Sequence, residues 1–138
     1  MTADQESYDA LCCYTLQHGD ATFIHQHVVD AFAAQQADER TKPIGLVFAL
    51  VGLYLHVERD FTGKQVQRAH MTLAVRKRQW PAIVLPSGRG RMTAADVLAI
   101  PEGQARDSAI DDWCRSVWAE FAANRQTLVA LLREYGIV

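Results

Sequence analysis

The chain has 138 residues, a length typical of one domain that buries its own hydrophobic core. Hydrophobic residues make up 49% of the chain and charged residues 22%, which excludes disordered and fibrous classes. The net charge of −2 argues against a general binder of nucleic acid or of membrane surfaces. We therefore expect a single domain over residues 1–138, and the order of its elements follows from local signals.

Three helices are predicted in the first half of the chain. The first covers residues 4–18 and ends at Gly19, in the position where glycine commonly terminates a helix. Asp20 is a suitable N-cap for a second helix that runs to about Gln36. The third helix, Ile44 to about Arg59, follows a proline and is apolar on every side, which indicates a central element.

The fourth helix has the clearest start signal in the sequence. Thr62 and the glutamine three residues later form a capping box, so this helix is predicted from Gly63 to about Lys77. Proline and glycine then punctuate a loop over residues 79–92. Thr93 is predicted to cap a short helix that ends before the next proline.

The last helix is predicted to be the longest, from Gln104 to Tyr135, with Gly136 as its cap. Apolar residues alternate along it by four and three, a heptad pattern that is interrupted at Asn124. Packing against the protein's own helices is favoured, and a homodimer seam is the alternative. No useful strand alternation occurs, so the predicted fold is all-α, an up-down bundle of four to five helices with a long C-terminal helix.

Two histidines in the second helix raise the question of function. On a helical wheel His25 falls within the apolar arc that contains Val28 and Phe32, whereas His27 falls at its boundary. The wheel therefore predicts that His25 is buried and that His27 is more exposed.

Histidines from four helices are predicted to meet near one end of the bundle. Short connections imply antiparallel neighbours, and a rise of about 1.5 Å per residue places these side chains within roughly 10 Å of that end. The residues that share this depth are His18, His25, His56, His70, Tyr14 and Tyr54.

This layer allows two interpretations. In one, His25, His56 and His70 bind a divalent transition metal, and His18, Tyr14 and Tyr54 contact a small-molecule ligand in an enzyme or sensor. In the other, each histidine hydrogen-bonds a neighbouring helix inside a binding or interaction module. The second interpretation is favoured because no spacing such as HExxH places two ligands on one helix face. Whether the protein is an enzyme stays open.

A second signal is a basic segment, residues 64–91, within a stretch from Phe61 to Ala95 that has no acidic residue. It indicates either an anion-binding patch or a solvated helix face. Because aromatic residues do not alternate with the basic ones along this segment, the solvated face is favoured and no nucleic-acid partner is expected.

The sequence also predicts a reduced, cytoplasmic protein without a membrane partner. Its three cysteines, Cys12, Cys13 and Cys114, have no CxxC spacing, and adjacent cysteines do not readily pair. The acidic start of the chain is unlike a signal peptide. The longest apolar run, Ile44 to Leu55, is too short to span a bilayer.

Two stretches of the chain carry a family resemblance. They are YTLQHGDATFIHQHVVDA, residues 14–31, and LYLHVERDFTGKQVQRAHM, residues 53–71. With these motifs the chain resembles a family of small uncharacterised bacterial proteins classed as a domain of unknown function. The resemblance implies a bacterial origin and a helical fold, and it implies no activity, cofactor or catalytic residue.

Overall fold

The protein is described by a computed structural model that covers residues 2–75 and 79–138. Every regular element in these two ranges is helical, which confirms the all-α prediction. The helices are α1 (Ala3–Gln17), α2 (His25–Gln35), α3 (Pro43–Arg59), α4 (Gly63–Ala74), α5 (Ala94–Leu98), α6 (Gln104–Glu120) and α7 (Arg125–Glu134), with a 3-10 helix (Ala122–Asn124) before α7.

Local capping signals in the sequence mark the helix starts correctly. Pro43 is the first residue of α3, and both halves of the capping box predicted at Thr62 are present at the start of α4. Thr93 caps α5 with a second capping box, in which Asp96 supplies the returning side chain. The predicted end of the fourth helix near Lys77 lies outside the described residues.

The connection between α1 and α2 corrects one predicted boundary. Gly19 has a φ of 57°, as expected for a glycine that terminates a helix. Asp20 is not the N-cap of α2, because its carboxylate accepts the backbone N–H groups of Thr22 and Ile24, each at 2.9 Å. These bonds stabilise a turn, in which Phe23 has a φ of 60°, and α2 begins only at His25.

The single long C-terminal helix was a wrong prediction, because α6 and α7 are separated by the 3-10 helix. Asn124, which interrupts the heptads, accepts the backbone N–H of Val84 at 2.8 Å and donates to the Val84 carbonyl at 2.9 Å. Its amide thus binds the backbone of the preceding loop at the point where the helix is broken. The apolar heptad residues up to Leu131 are buried within the chain's own core, as the favoured interpretation predicted.

Helix α3 is the central element of the core. Residues 49–55 are all buried, and this run covers nearly two full turns, so every side of the helix is enclosed. Helix α3 contacts α2, α4, α6 and α7. In the described part of the chain, no helix is both long enough and apolar enough to cross a membrane.

Candidate functional site

The three histidines predicted as metal ligands have separate hydrogen-bond partners. His25 Nδ1 lies 2.9 Å from Thr15 Oγ1 on α1, and His70 Nε2 lies 2.7 Å from the Phe48 carbonyl oxygen on α3. Phe48 precedes His56 by eight residues, about 12 Å along the helix axis. Within residues 2–75 and 79–138, no group of three or more histidine, cysteine, aspartate or glutamate side chains could hold a metal ion. The geometry therefore gives no support to a metal centre of His25, His56 and His70.

The three residues predicted to contact a ligand serve the packing of the helices. The Tyr14 hydroxyl donates to Asp107 Oδ1 at 2.8 Å and accepts the Gly103 N–H at 3.0 Å, which fixes the start of α6 against α1. His18 Nδ1 lies 2.8 Å from the Tyr14 carbonyl oxygen. Tyr54 is buried, and its ring lies edge-on to the indole ring of Trp118 on α6.

The predicted orientation of α2 was wrong. His27 is buried, with 5% of its surface exposed, whereas His25 is only partly buried. Helix α2 faces the core through Val28 and two small residues, Ala31 and Ala34, and it contacts α3. Phe32, which shares the predicted apolar arc with Val28, is only partly buried and stacks on Tyr8 of α1.

His27 forms a stacked pair with His56 of α3. The ring centroids are 3.5 Å apart and the planes differ by 18°. His56 Nε2 lies 2.8 Å from Asp111 Oδ1 on α6, and its Nδ1 lies 3.1 Å from the Phe61 carbonyl oxygen. A carbonyl and a carboxylate are both acceptors, so both hydrogen bonds form together only when His56 carries a proton on each ring nitrogen.

The surroundings of the pair shift two pKa values. Burial, with a smaller contribution from the charge of His56, lowers the pKa of His27 to about 3. The hydrogen bond from His56 holds the pKa of Asp111 below its usual range. At neutral pH the site therefore contains a neutral His27 ring and an ionised Asp111 carboxylate.

The histidine pair borders a cleft of about 270 Å³. Its walls come from the connection before α2, from α2, from the end of α3 and the turn that follows it, and from α6. The lining residues are Thr22, Ile24, His27, His56, Asp60, Phe61, Thr62 and Asp111. We call this feature the histidine cleft.

His27, which lines the histidine cleft, also contains a buried polar atom, Nδ1, without a hydrogen-bond partner among the described residues. Leaving a buried polar atom unpaired costs roughly 1–3 kcal/mol. In native proteins such atoms are uncommon, and they often mark a site that water or a ligand completes.

A second buried polar group lies one turn further along α2. Asp30 is 3% exposed, and its Oδ1 accepts a hydrogen bond from Gln26 Nε2 at 3.0 Å. Its Oδ2 has no partner among the described residues and lies against Gly52 of α3, where the absence of a side chain makes room for it. Burial raises the pKa of Asp30 well above its usual range, which favours the protonated carboxyl group in the folded protein.

The sequence contained signals for this cluster that the wheel did not resolve. Asp30 stands three residues after His27 in an otherwise apolar run, and Asp111 stands three residues before Cys114, which is a heptad residue. Cys114 is buried, and its thiol donates to the His27 carbonyl oxygen at 3.6 Å.

The basic segment is only partly described. Arg76, Lys77 and Arg78 lie outside the described residues. Arg89 donates from Nη1 to the Gln35 carbonyl oxygen at 2.6 Å and so ties the loop to the end of α2. The Lys64 ammonium lies 5.1 Å from the centre of the Phe23 ring, next to the histidine cleft but outside its lining.

Fold and site together define a class: a small all-helical protein in which a stacked histidine pair and two carboxylates border a cleft. The chain belongs to the family described as Family of unknown function (DUF5946), whose model matches residues 5–122. The match includes the whole histidine cleft and confirms the predicted resemblance to a domain of unknown function. No curated protein and no solved structure matches the chain.

Proposed function

We propose that the chain is a binding domain for a small molecule and that the histidine cleft is its binding site. The observation that carries the proposal is the histidine cleft itself, a cavity of about 270 Å³ whose lining includes the stacked His27–His56 pair and the Asp111 carboxylate that His56 contacts at 2.8 Å.

The cleft is small, and its rim is fixed before any ligand binds. Its volume of about 270 Å³ is at the lower end of ligand sites, which points to a molecule about the size of a single ring. The backbone N–H of Lys64 donates to the Thr22 carbonyl oxygen at 3.0 Å. Any side chain at Gly63 would collide with the Phe23 carbonyl oxygen. These contacts hold the two connecting segments of the rim together.

The geometry favours binding over acid–base catalysis. Both ring nitrogens of His56 already have hydrogen-bond partners, so neither is free to take a proton from a substrate. His27 has a pKa of about 3, far from the values near the working pH that suit a general base. A histidine pair with these properties can position a ligand but is poorly suited to moving protons at neutral pH.

A screen of small compounds observed by NMR tests the proposal. The library contains cationic, neutral and anionic single-ring compounds, and the signals followed are those of the His27 and His56 rings. At least one compound is expected to shift both signals in a saturable way, and His27→Phe, which keeps a flat ring but removes the nitrogens, should weaken its binding. His18→Phe is the matched control, because His18 is exposed and lies outside the cleft lining. A complete screen without saturable shifts of either ring would overturn the proposed function.

A further inference from the structure

We infer that the ligand of the histidine cleft is a small organic cation with N–H donors, such as a protonated amine or an amidinium ion. The inference rests on the proposed function and adds the chemical class of the ligand. It follows from the carboxylates that face the cleft, from the charges that oppose them and from the apolar part of the wall.

Asp111 presents a carboxylate oxygen that the protein does not use. Its Oδ1 is bonded to His56, while its Oδ2 has no hydrogen bond to any described residue. The side chain is 46% exposed and lines the cleft, so a ligand there can reach this carboxylate. The bond to His56 fixes the position of the carboxylate before a ligand arrives, which reduces the entropy lost on binding.

A second carboxylate stands on the rim. Asp60 is the C-cap residue of α3 with a φ of 58°, and its exposed side chain lines the cleft. It forms no ion pair with any described residue. Two carboxylates, those of Asp60 and Asp111, thus line the same small cleft.

Within the lining of the cleft, the positive charges do not balance these two carboxylates. The titratable groups there are His27, His56, Asp60 and Asp111. His27 is neutral at pH 7, so even a protonated His56 leaves one negative charge in excess. Arg115, whose charge acts on Asp111, and Lys64, whose ammonium lies over the Phe23 ring, stand outside the lining. In contact with the lining, a bound anion would meet the excess negative charge, whereas a cation would neutralise it.

The remaining wall selects an organic cation over a bare metal ion. Ile24 and Phe61 are apolar lining residues, and the histidine rings contribute flat edges beside them. The described residues also contain no group of three metal-ligating side chains. A cation with a small flat or apolar body and N–H donors satisfies both the carboxylates and this wall.

Two sets of isosteric probes separate charge from shape. The first is benzamidine, benzamide and benzoate, and the second is acetamidine, acetamide and acetate. Binding to the full chain is followed by NMR shifts of the His27 and His56 rings. Each amidinium is expected to bind about tenfold more tightly than its amide, and each carboxylate more weakly than the amide.

Three variants test which carboxylate causes the preference for the amidinium over the amide. Asp111→Asn should remove most of the tenfold preference for the amidinium, whereas Asp112→Asn, the same change at the next and exposed residue of α6, should leave it intact. Asp60→Asn should reduce it several-fold, and this variant is expected to fold because asparagine tolerates a positive φ.

Each outcome decides between the two proposals. Amides or carboxylates that bind as tightly as the amidinium ions, or a preference unchanged in both Asp111→Asn and Asp60→Asn, would overturn the cation inference and leave the proposed function standing. If none of the six probes and no compound of the wider screen shifts the His27 and His56 signals, both fail.

Discussion

The imidazole rings of His27 and His56 lie face to face, with their centroids 3.5 Å apart and their planes 18° from parallel. This contact joins α2 to α3, and His56 is joined in turn to α6 through Asp111. His27 is therefore part of a contact among three helices. His25, which is next but one in the sequence, hydrogen-bonds Thr15 on α1 instead.

Alanine substitutions at the two histidines should have unequal effects on stability. His27→Ala removes a buried ring and leaves a cavity beside His56, so we expect it to lower the free energy of unfolding by about 2–3 kcal/mol. His25→Ala removes a hydrogen bond of a partly buried side chain, for which we expect about 1 kcal/mol. Urea unfolding of both variants at pH 7 measures the difference. A larger loss for His25→Ala would mean that α2 presents its other face to the core.

The face of α2 could not be read from hydrophobicity alone. A wheel weights large apolar residues, yet the contacts of α2 with α3 include two polar residues, His27 against His56 and Asp30 against Gly52. His27 and Asp30 can be buried because α3 provides a stacking partner for His27, the His56 ring, and space for Asp30 at Gly52. Such partners are distant in sequence, so the wheel has no information about them.

Helix ends were predictable where the signal is local. The capping box at Thr62 and the proline at position 43 specify their helices within a few residues, and both are present in the structure. Asp20 and Asn124 were misjudged because their side chains bind backbone groups outside the expected helix. For Asn124 the backbone that it binds belongs to Val84, 40 residues earlier in the chain.

The low pKa of His27 predicts a loss of stability in mild acid. Because burial lowers this pKa to about 3, the unfolded chain takes up a proton between about pH 6.5 and 3 that the folded protein does not. Stability therefore falls as the pH is lowered through this window, by at most about 1.4 kcal/mol per pH unit for one group. His25 and His70, whose pKa values burial also lowers, act in the same direction.

The contribution of His27 can be isolated with His27→Phe. Unfolding free energies of this variant and of the wild-type protein are compared at pH 7 and pH 5. We expect the variant to lose less stability than the wild type over this interval, because one of the groups that resist protonation is gone. Equal losses would show that His27 is not kept neutral by the fold. Asp111 does not interfere, because its lowered pKa matters only below about pH 4.

Asp30 should have the opposite dependence on pH. Because burial raises its pKa, the folded protein keeps a proton that the unfolded chain has lost above about pH 4, so this group reduces stability as the pH rises. Asp30→Asn has no such proton. Its stability relative to the wild-type protein should therefore increase from pH 4 to pH 7, by at most about 1.4 kcal/mol per pH unit. A difference that stays constant over this range would show that Asp30 is ionised in the folded state.

The contact between Asp30 and Gly52 makes a prediction about a double variant. A Cβ atom at Gly52 would overlap Asp30 Oδ2 and lie 3.2 Å from Val66 Cγ1. In an open position within a helix, glycine to alanine stabilises by up to about 1 kcal/mol. Gly52→Ala should instead destabilise, by roughly 1–3 kcal/mol, because the buried acid has no space to move into.

Removal of the acid should reverse this effect. In an Asp30→Ala background, Gly52→Ala places a methyl group where the carboxyl group was, so we expect it to be neutral or stabilising. Gly45→Ala, on the same helix with no atom within 4 Å of the added Cβ, is the matched control and should not destabilise in either background. Urea unfolding of the four combinations at positions 30 and 52 gives the coupling energy between the two sites. Equal effects of Gly52→Ala with and without Asp30 would show that the Asp30 carboxyl group does not occupy the space at Gly52. In that case α2 and α3 would pack differently at this point.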